Sequence, residues 1–193
     1  MNLVSIENLS KAYGEKTIFN NLTFGIDQGD KIGVIGVNGT GKSTLLKIIA
    51  GIEDADSGNI VTMKGLKMSY MHQTPCFDED ETVIDYVHRV CLIENDEDES
   101  VVKSALTKLG ITNYYQNVNE LSGGQKKRVA LAACMAAPVD LLILDEPTNH
   151  LDSSTIEWIE QNLKKTAKAL ILVTHDRYFL DRIVNKTYEF ICL

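Results

Sequence analysis

The chain has 193 residues, of which 44% are hydrophobic and 24% are charged; this excludes an intrinsically disordered chain and fits one folded domain with at most a subdomain. Its formal net charge of −8 excludes a basic field that would hold nucleic acid or an anionic membrane without a specific docking surface, so no DNA partner is expected. The four cysteines contain no C-x-x-C pair and no ligand spacing with the four histidines, which predicts reduced, mostly core-filling thiols in a cytoplasmic protein.

The N-terminal half of the chain begins with strand-like segments. Short β-type runs fill most of the first 71 residues, and one helix, 43–50, interrupts them and ends at Gly51. The N-terminus shows no basic region followed by an apolar one, and the longest apolar run, 129–137, has nine residues where a membrane span needs about twenty. Neither export nor membrane insertion is therefore expected.

The middle of the chain is predicted to be helical. Three helical segments occupy residues 82 to 137, and Pro138 ends the last of them. The acidic run 94–99 is interpreted as a solvated loop, with Ser100 and the preceding charge at the N-terminal end of the second helix, which Gly110 stops.

The remaining segment alternates buried strands and helices, as a parallel sheet with crossover helices requires. The sequence shows no internal repeat and no Pro/Gly/Ser linker. We therefore expect an α/β fold with a mainly parallel sheet, an N-terminal antiparallel β subdomain and an inserted α-helical subdomain. The expected boundaries are a discontinuous core, 1–73 with 138–193, and a helical subdomain, 74–137.

A phosphate-binding loop is predicted between a strand and a helix. The stretch GVNGTGKST fits G-x-x-x-x-G-K-[ST], the motif of P-loop NTPases, in the strand-to-helix context that the motif requires; an ordinary glycine turn is the alternative. Lys42 would reach the β- and γ-phosphates of a nucleoside triphosphate, and the Ser43 hydroxyl would bind Mg²⁺. The predicted nucleotide-binding residues of this loop are Gly36, Asn38, Gly39, Thr40, Gly41, Lys42, Ser43 and Thr44.

Two carboxylates follow the buried run 141–144. Because ligands of open α/β sheets bind at the carboxyl ends of the strands, Asp145 is expected to hold Mg²⁺ and Glu146 to activate the attacking water. A solvated turn that caps the next helix is the alternative reading.

Three further residues are candidates with structural alternatives. His175 follows a second buried strand and would contact the γ-phosphate, although a lone histidine there is often structural. Gln73 follows the strand-like run 67–71 and would bring its amide to Mg²⁺ or the water, and Tyr13, in a turn, would stack on adenine; either could also be an ordinary surface residue.

A second glycine-rich helix start, LSGGQ at 121–125, joins these motifs to a known family. With GVNGTGKST, Gln73, LLILDEP, the LD pair that ends at Asp152, and His175, it resembles the ABC ATPase family over essentially the whole chain. The resemblance implies ATP and Mg²⁺ as cofactors and two cassettes that face each other head to tail. In that arrangement Ser122, Gly123 and Gly124 would close over the γ-phosphate held by a partner, and Asp152 would couple the two sites. The preference for ATP over GTP rests on this resemblance and on Tyr13.

Two runs, DEPTNHLD and VTHDRYFLDRIV, are similar to the F subfamily of this family. The resemblance implies soluble paired ATPases that act on ribosomes, so the ribosome with its rRNA and tRNA is the expected partner of the full-length protein. The second cassette would lie on the same polypeptide or in a homodimer. The alternatives are the ATPase subunit of a transporter and a non-hydrolysing ATP-gated module, and Glu146 argues against the latter.

The chain departs from the F-subfamily pattern in its length. Only 47 residues lie between Gln73 and Leu121, so the helical arm that first cassettes usually carry is expected to be absent or very short. No linker and no second cassette follow the last strand. We interpret the chain as an isolated first cassette that binds ATP·Mg and hydrolyses ATP slowly.

Overall fold

The structure is a computed structural model that describes residues 1–91, 96–149 and 151–190, with the side chains of residues 96 and 97 left out. His150 and Cys192, which the sequence analysis included in a motif and among the core thiols, lie outside the described residues. In chain order the elements are β1 (Asn2–Tyr13), β2 (Lys16–Asp27), β3 (Lys31–Gly36), α1 (Lys42–Ile49), β4 (Ser57–Thr62), β5 (Met68–Met71), α2 (Val83–Cys91), α3 (Asp96–Lys108), a 3₁₀ turn (Val118–Glu120), α4 (Gly123–Ala136), β6 (Leu141–Asp145), α5 (Ser153–Lys165), β7 (Ala169–Val173), α6 (Arg177–Ile183) and β8 (Lys186–Phe190).

The strands form two sheets. The first is antiparallel, with strand order β2-β1-β4, and the second is parallel, with order β5-β6-β7-β3-β8. In β6 and β7 every residue is buried, and their sequences are continuous apolar runs, as expected of strands covered on both faces. The predicted α/β fold with a parallel sheet and an N-terminal antiparallel sheet is confirmed.

The parallel sheet separates two hydrophobic cores. Leu142 and Leu144 of β6 pack into a core shared with α2 to α6, whereas Leu141 and Ile143 pack into a core shared with α1 and the antiparallel sheet. The alternation follows from the two-residue period of a strand. The carboxyl edge of the sheet is therefore held rigidly between two packed layers.

Lysines from the core hold the C-terminal ends of two helices. Lys168 Nζ donates to the carbonyls of Met135 and Ala137, at 2.9 and 2.6 Å, at the end of α4. Lys31 Nζ donates in the same way to Leu163 and Lys164 of α5, at 2.8 Å each. These carbonyls have no partner within their helix, so the lysines supply both the missing donor and a favourable charge.

The structure corrects two expectations. The described part of α3 runs from Asp96 to Lys108, so most of the acidic run 94–99 belongs to a helix rather than to a loop. Glu99 pairs with Lys103 one turn later, a spacing that stabilises a helix, and with His88 of α2. Tyr13 is the last residue of β1 and pairs with Lys16 of β2, so it lies in the hairpin strand and not in the turn.

None of the helices in the described part of the chain has both the length and the apolar character needed to cross a bilayer. The free cysteines behave as predicted where they are described, since Cys91 and Cys134 are buried and Cys76 is exposed.

We expect Lys168→Met to destabilise the fold by about 1–3 kcal/mol, because partly buried helix carbonyls lose their donor. The matched control is Lys164→Met, which removes an exposed pair with Glu160 and should cost about 0.5 kcal/mol or less. Urea unfolding monitored by circular dichroism measures both. Equal losses in the two variants would contradict the capping role of Lys168.

Candidate active site

The loop between β3 and α1 requires glycine for steric and backbone reasons. Gly39 and Gly41 have φ values of 81° and 94°, in the left-handed region. A Cβ on Gly41 would lie 2.0 Å from Ile18 Cγ2, a distance that no packing adjustment of a few tenths of an ångström can relieve. The loop therefore turns tightly against β2 and leads directly into the N-terminus of α1, which favours a bound anion.

Lys42 is held at the mouth of this loop. Its side chain is buried, and Nζ donates to the carbonyls of Gly36 and Val37 at 2.9 Å each. The Thr40 hydroxyl also donates to Val37 O, at 2.9 Å, and Lys16 Nζ donates to Gly39 O at 3.2 Å. The loop thus carries two ammonium groups and a helix N-terminus, a strongly electropositive concavity that suits phosphate oxygens.

Asp145 lies at the end of β6 next to Ser43. The Ser43 hydroxyl donates to Oδ1 at 3.1 Å, and the Tyr70 hydroxyl donates to Oδ2 at 3.4 Å. Burial raises the pKa of Asp145, and these two hydrogen bonds oppose the rise. Carboxylate, hydroxyl and amide oxygens are ligands that Mg²⁺ prefers, so Asp145, Ser43 and the nearby Gln73 fit a magnesium ion, whose charge would also favour ionised Asp145.

Glu146 adopts a left-handed backbone conformation, with φ 50°, and is 4% exposed. Such a conformation costs about 1–3 kcal/mol in a residue other than glycine and tends to mark functional sites. His175 Nε2 lies 3.0 Å from Glu146 Oε1, and the backbone N–H of His175 donates to Oε2 at 3.4 Å. Burial raises the pKa of Glu146, and the neighbouring imidazole counteracts this rise.

These groups share one cavity of about 580 Å³. Most of the predicted site residues line it; just outside, Gly36 and Asp145 accept hydrogen bonds from the lining residues Lys42 and Ser43, and Thr40 stands between Gly39 and Gly41 in the chain. Sequence reasoning missed Lys16, Ile18, Asn149 and Val173 in this wall. The lining residues are Tyr13, Lys16, Ile18, Asn38, Gly39, Gly41, Lys42, Ser43, Thr44, Gln73, Glu146, Asn149, Val173 and His175.

Tyr13 stands at the rim of the cavity, and its orientation is fixed. Its hydroxyl donates to a Glu53 carboxylate oxygen and lies 3.5 Å from Thr44 Oγ1. Lys11 Nζ lies 5.4 Å from the centre of the ring. The side chain is 49% exposed, so an aromatic face remains accessible for stacking.

Residues 122–124 do not line this cavity; they lie at the start of α4. Ser122 caps the helix: its hydroxyl accepts from the Gln125 N–H at 3.3 Å, and its own N–H donates to Gln125 Oε1 at 2.9 Å. Apart from the adjacent residues and the backbone of the helix itself, no described atom lies within 4 Å of a Cβ built on Gly123 or Gly124. The fold of the chain itself therefore does not need glycine at these two positions, and the helix N-terminus is open to an approaching group.

Asp152 also lies outside the cavity, at the N-cap of α5. Its two oxygens accept from the backbone N–H and the hydroxyl of Thr155, at 2.9 Å each, and Arg128 NH1 lies 3.6 Å away. Hydrogen bonds from Ser154 and Thr155 hold the pKa of Asp152 well below its ordinary value. An ionised Asp152 thus connects the N-terminal regions of α4 and α5.

Two residues that contact Asp145 and Glu146 were not predicted. Tyr70 bonds to Asp145 as described, and the buried Lys127 of α4 donates from Nζ to the backbone carbonyl of Glu146 at 2.8 Å. In the sequence, Lys127 is visible only as part of a basic run. Tyr70 is visible only as the penultimate residue of strand β5. Neither contact has a sequence motif.

The fold and the site define a P-loop nucleoside triphosphatase, because a glycine-rich phosphate loop and two acidic residues meet at the carboxyl edge of a parallel sheet. Residues 19–149 match the family described as "ABC transporter", and the chain belongs to this family. It is an ABC-type ATPase cassette, and the family predicted from the motifs is confirmed.

Curated relatives cover the whole chain but are much longer. "Uncharacterized ABC transporter ATP-binding protein YfmR" of Bacillus subtilis is 41% identical over 227 residues, with 98% of this chain and 36% of the relative covered. "ABC transporter F family member 2" of Arabidopsis thaliana is 36% identical (97% and 28% covered), and "Energy-dependent translational throttle protein EttA" of Mycobacterium tuberculosis is 32% identical (97% and 40% covered). The chain therefore spans about a third of the length of these relatives.

Solved structures share the fold. A dimeric post-hydrolysis state of the ATP-binding cassette MJ0796, bound to ADP and Pi, superimposes with a TM-score of 0.85 at 25% identity and covers 97% of this chain and 94% of that one.

We expect Lys42→Ala to abolish detectable ATP binding, because the loop loses the ammonium that would contact the phosphates. Lys64→Ala is the control, since it removes the same charge from an exposed turn. Fluorescent-ATP titration measures both. Unchanged affinity in Lys42→Ala would refute the assignment of the nucleotide site.

Proposed function

We propose that the chain binds and hydrolyses ATP by closing head to tail with a second cassette around ATP·Mg. One observation carries the proposal: the cavity is lined by the glycine-rich loop and the Glu146–His175 pair, while residues 122–124 form a capped helix start that lies outside it in open space. The position of residues 122–124 outside the described cavity is explained if they bind the nucleotide of a partner. The dimeric MJ0796 cassette with ADP and Pi supports this arrangement.

The residues of the cavity have separate roles in this proposal. Lys42 binds the β- and γ-phosphates, and Glu146 orients the attacking water and accepts its proton. His175 keeps the Glu146 carboxylate in place and contacts the γ-phosphate, and Gln73 orients the water or the metal. A magnesium ion held by Ser43 and Asp145 would neutralise negative charge on the phosphates.

Pairing follows from the charge of the nucleotide. The helix start at Ser122 and the phosphate loop of the partner both present unsatisfied N–H groups and partial positive charge, and the γ-phosphate satisfies both at once. Hydrolysis removes this shared ligand, so the pair opens again. In this scheme, Asp152 relays the state of one site to the other, and residues 74–137 form the helical signature subdomain that presents Ser122 to the partner.

We expect Glu146→Gln to associate when ATP and Mg²⁺ are added, because the nucleotide is bound but not hydrolysed. Multi-angle light scattering at several protein concentrations, with a second copy of this chain as the partner, measures the shift. A monomer at every concentration with saturating ATP would argue strongly against the clamp.

We expect Gly123→Asp, introduced into Glu146→Gln, to abolish this association while ATP affinity and melting temperature stay unchanged. The open space around Gly123 accommodates the new side chain within the chain itself, and an acid in a first helical turn is tolerated. Its charge would instead oppose the γ-phosphate of the partner. The glycine assignment is wrong if the double variant still associates with ATP.

We propose that the full-length protein is a ribosome-associated translation factor of the cytoplasm. The F-subfamily runs DEPTNHLD and VTHDRYFLDRIV, the similarity to the F family member and the similarity to EttA, whose name describes a translational throttle, support this proposal. The alternative is the ATPase subunit of a transporter, which the family description and the name of YfmR favour.

Two measurements on the full-length protein distinguish these functions. ATP-dependent co-sedimentation with ribosomes, reduced by high salt, would support the translation factor, and co-purification with a membrane permease would support the transporter subunit.

A further inference from the structure

The buried Lys127 bonds to the backbone of Glu146, and the proposed chemistry does not use it. It belongs to the second turn of α4, is 6% exposed and donates from Nζ to the backbone carbonyl of Glu146 at 2.8 Å. A buried ammonium is costly to desolvate, and a methionine of similar length would fill the same space without that cost. What the ammonium adds is therefore the charge-assisted hydrogen bond to Glu146.

This hydrogen bond completes the fixation of the Glu146 backbone. The N–H of Glu146 donates to Val173 O of β7 at 2.9 Å, and the carbonyl accepts from Lys127 and, at 3.4 Å, from the N–H of Asn149. Glu146 has φ 50°, a conformation that persists only when its surroundings hold both of its backbone polar groups. The left-handed backbone in turn sets the direction in which the carboxylate leaves the chain toward His175.

The same helix begins with residues 122–124. Lys127 lies about one turn after this helix start, which is proposed to contact the partner's nucleotide. Its ammonium donates to Glu146, the residue proposed to activate water in the cavity of the same chain. Lys168 holds the other end of α4 on the core, so the helix is fixed at both ends by ammonium groups.

We propose that Lys127 is a positioning residue that holds the Glu146 backbone in its left-handed conformation and links the start of α4 to the catalytic carboxylate. The inference rests on the proposed role of Glu146 in hydrolysis. It assigns to Lys127 no contact with nucleotide, so loss of the ammonium should affect the rate of hydrolysis and not the affinity for ATP.

Hydrogen–deuterium exchange of the nucleotide-free chain tests the link without relying on hydrolysis. The variant is Lys127→Met, and the matched control is Lys126→Met, which removes the neighbouring ammonium that lies 6.0 Å from the Phe77 ring. We expect at least threefold faster exchange in peptides that contain Glu146, Asn149 and His175, with wild-type exchange in β3. Lys126→Met should match the wild type throughout. Unchanged exchange around Glu146, or equal acceleration in every peptide, would overturn the proposal.

Turnover provides the second measurement. We expect Lys127→Met to lower kcat about tenfold with ATP affinity within twofold of wild type, and to cause no further loss when Glu146 is already Gln, because the positioned carboxylate is then gone. A proportional loss in both backgrounds, or a matching loss of ATP affinity, would show a general structural role and contradict the proposal. Failure of hydrolysis in the wild-type chain would count against the proposed function alone, since the exchange result is independent of it.

Discussion

The site depends on a single constraint, the placement of Asp145 and Glu146 at the end of a strand that is buried on both faces. Because β6 is sealed between two cores, its last residues cannot shift, and groups from several elements are brought to them. A hydroxyl from α1 and a phenol from β5 reach Asp145, and the imidazole that follows β7 reaches Glu146. Burial raises the pKa of both carboxyls. Such shifts are common at functional sites, and this edge of the sheet suits a cation at Asp145 and a base at Glu146.

Helix α4 is attached to the core near both of its ends, while its first residues remain open. Lys127 and Lys168 fix the helix to the core, while the capped start at Ser122 presents glycine to open space. A helix start that is rigid, capped and sterically open is suited to an anion that arrives from outside the chain. In the proposed function, the described cavity is one half of a composite site, and the helix start is the other half of the site for a different nucleotide.

Much of the fold and of the candidate site could be predicted from the sequence. The site contacts that could not be predicted share one physical cause. The continuous apolar runs predicted β6 and β7, and the alternation of strands and helices in the last segment predicted α5 between them. The phosphate-loop residues were found because their motif has a fixed spacing along the chain. The contacts of Tyr70 and Lys127 depend instead on which strand lies beside which and on where a helix crosses the sheet edge, and no local pattern encodes this. The helical part of the acidic run was missed because charge was interpreted as solvation and not as pairing within a helix, such as that of Glu99 with Lys103.

In the proposed pair, one triphosphate is held by Lys42 of one cassette and by the helix start of another. Mixing two defective chains, Lys42→Ala and Gly123→Asp, tests it most directly, because a mixed pair contains one intact composite site and one doubly defective site. ATP hydrolysis per chain should be absent in each variant alone and should recover to roughly a quarter of the wild-type rate in an equimolar mixture, if half of the pairs are mixed and each has one active site. A mixture no more active than its components would contradict the claim.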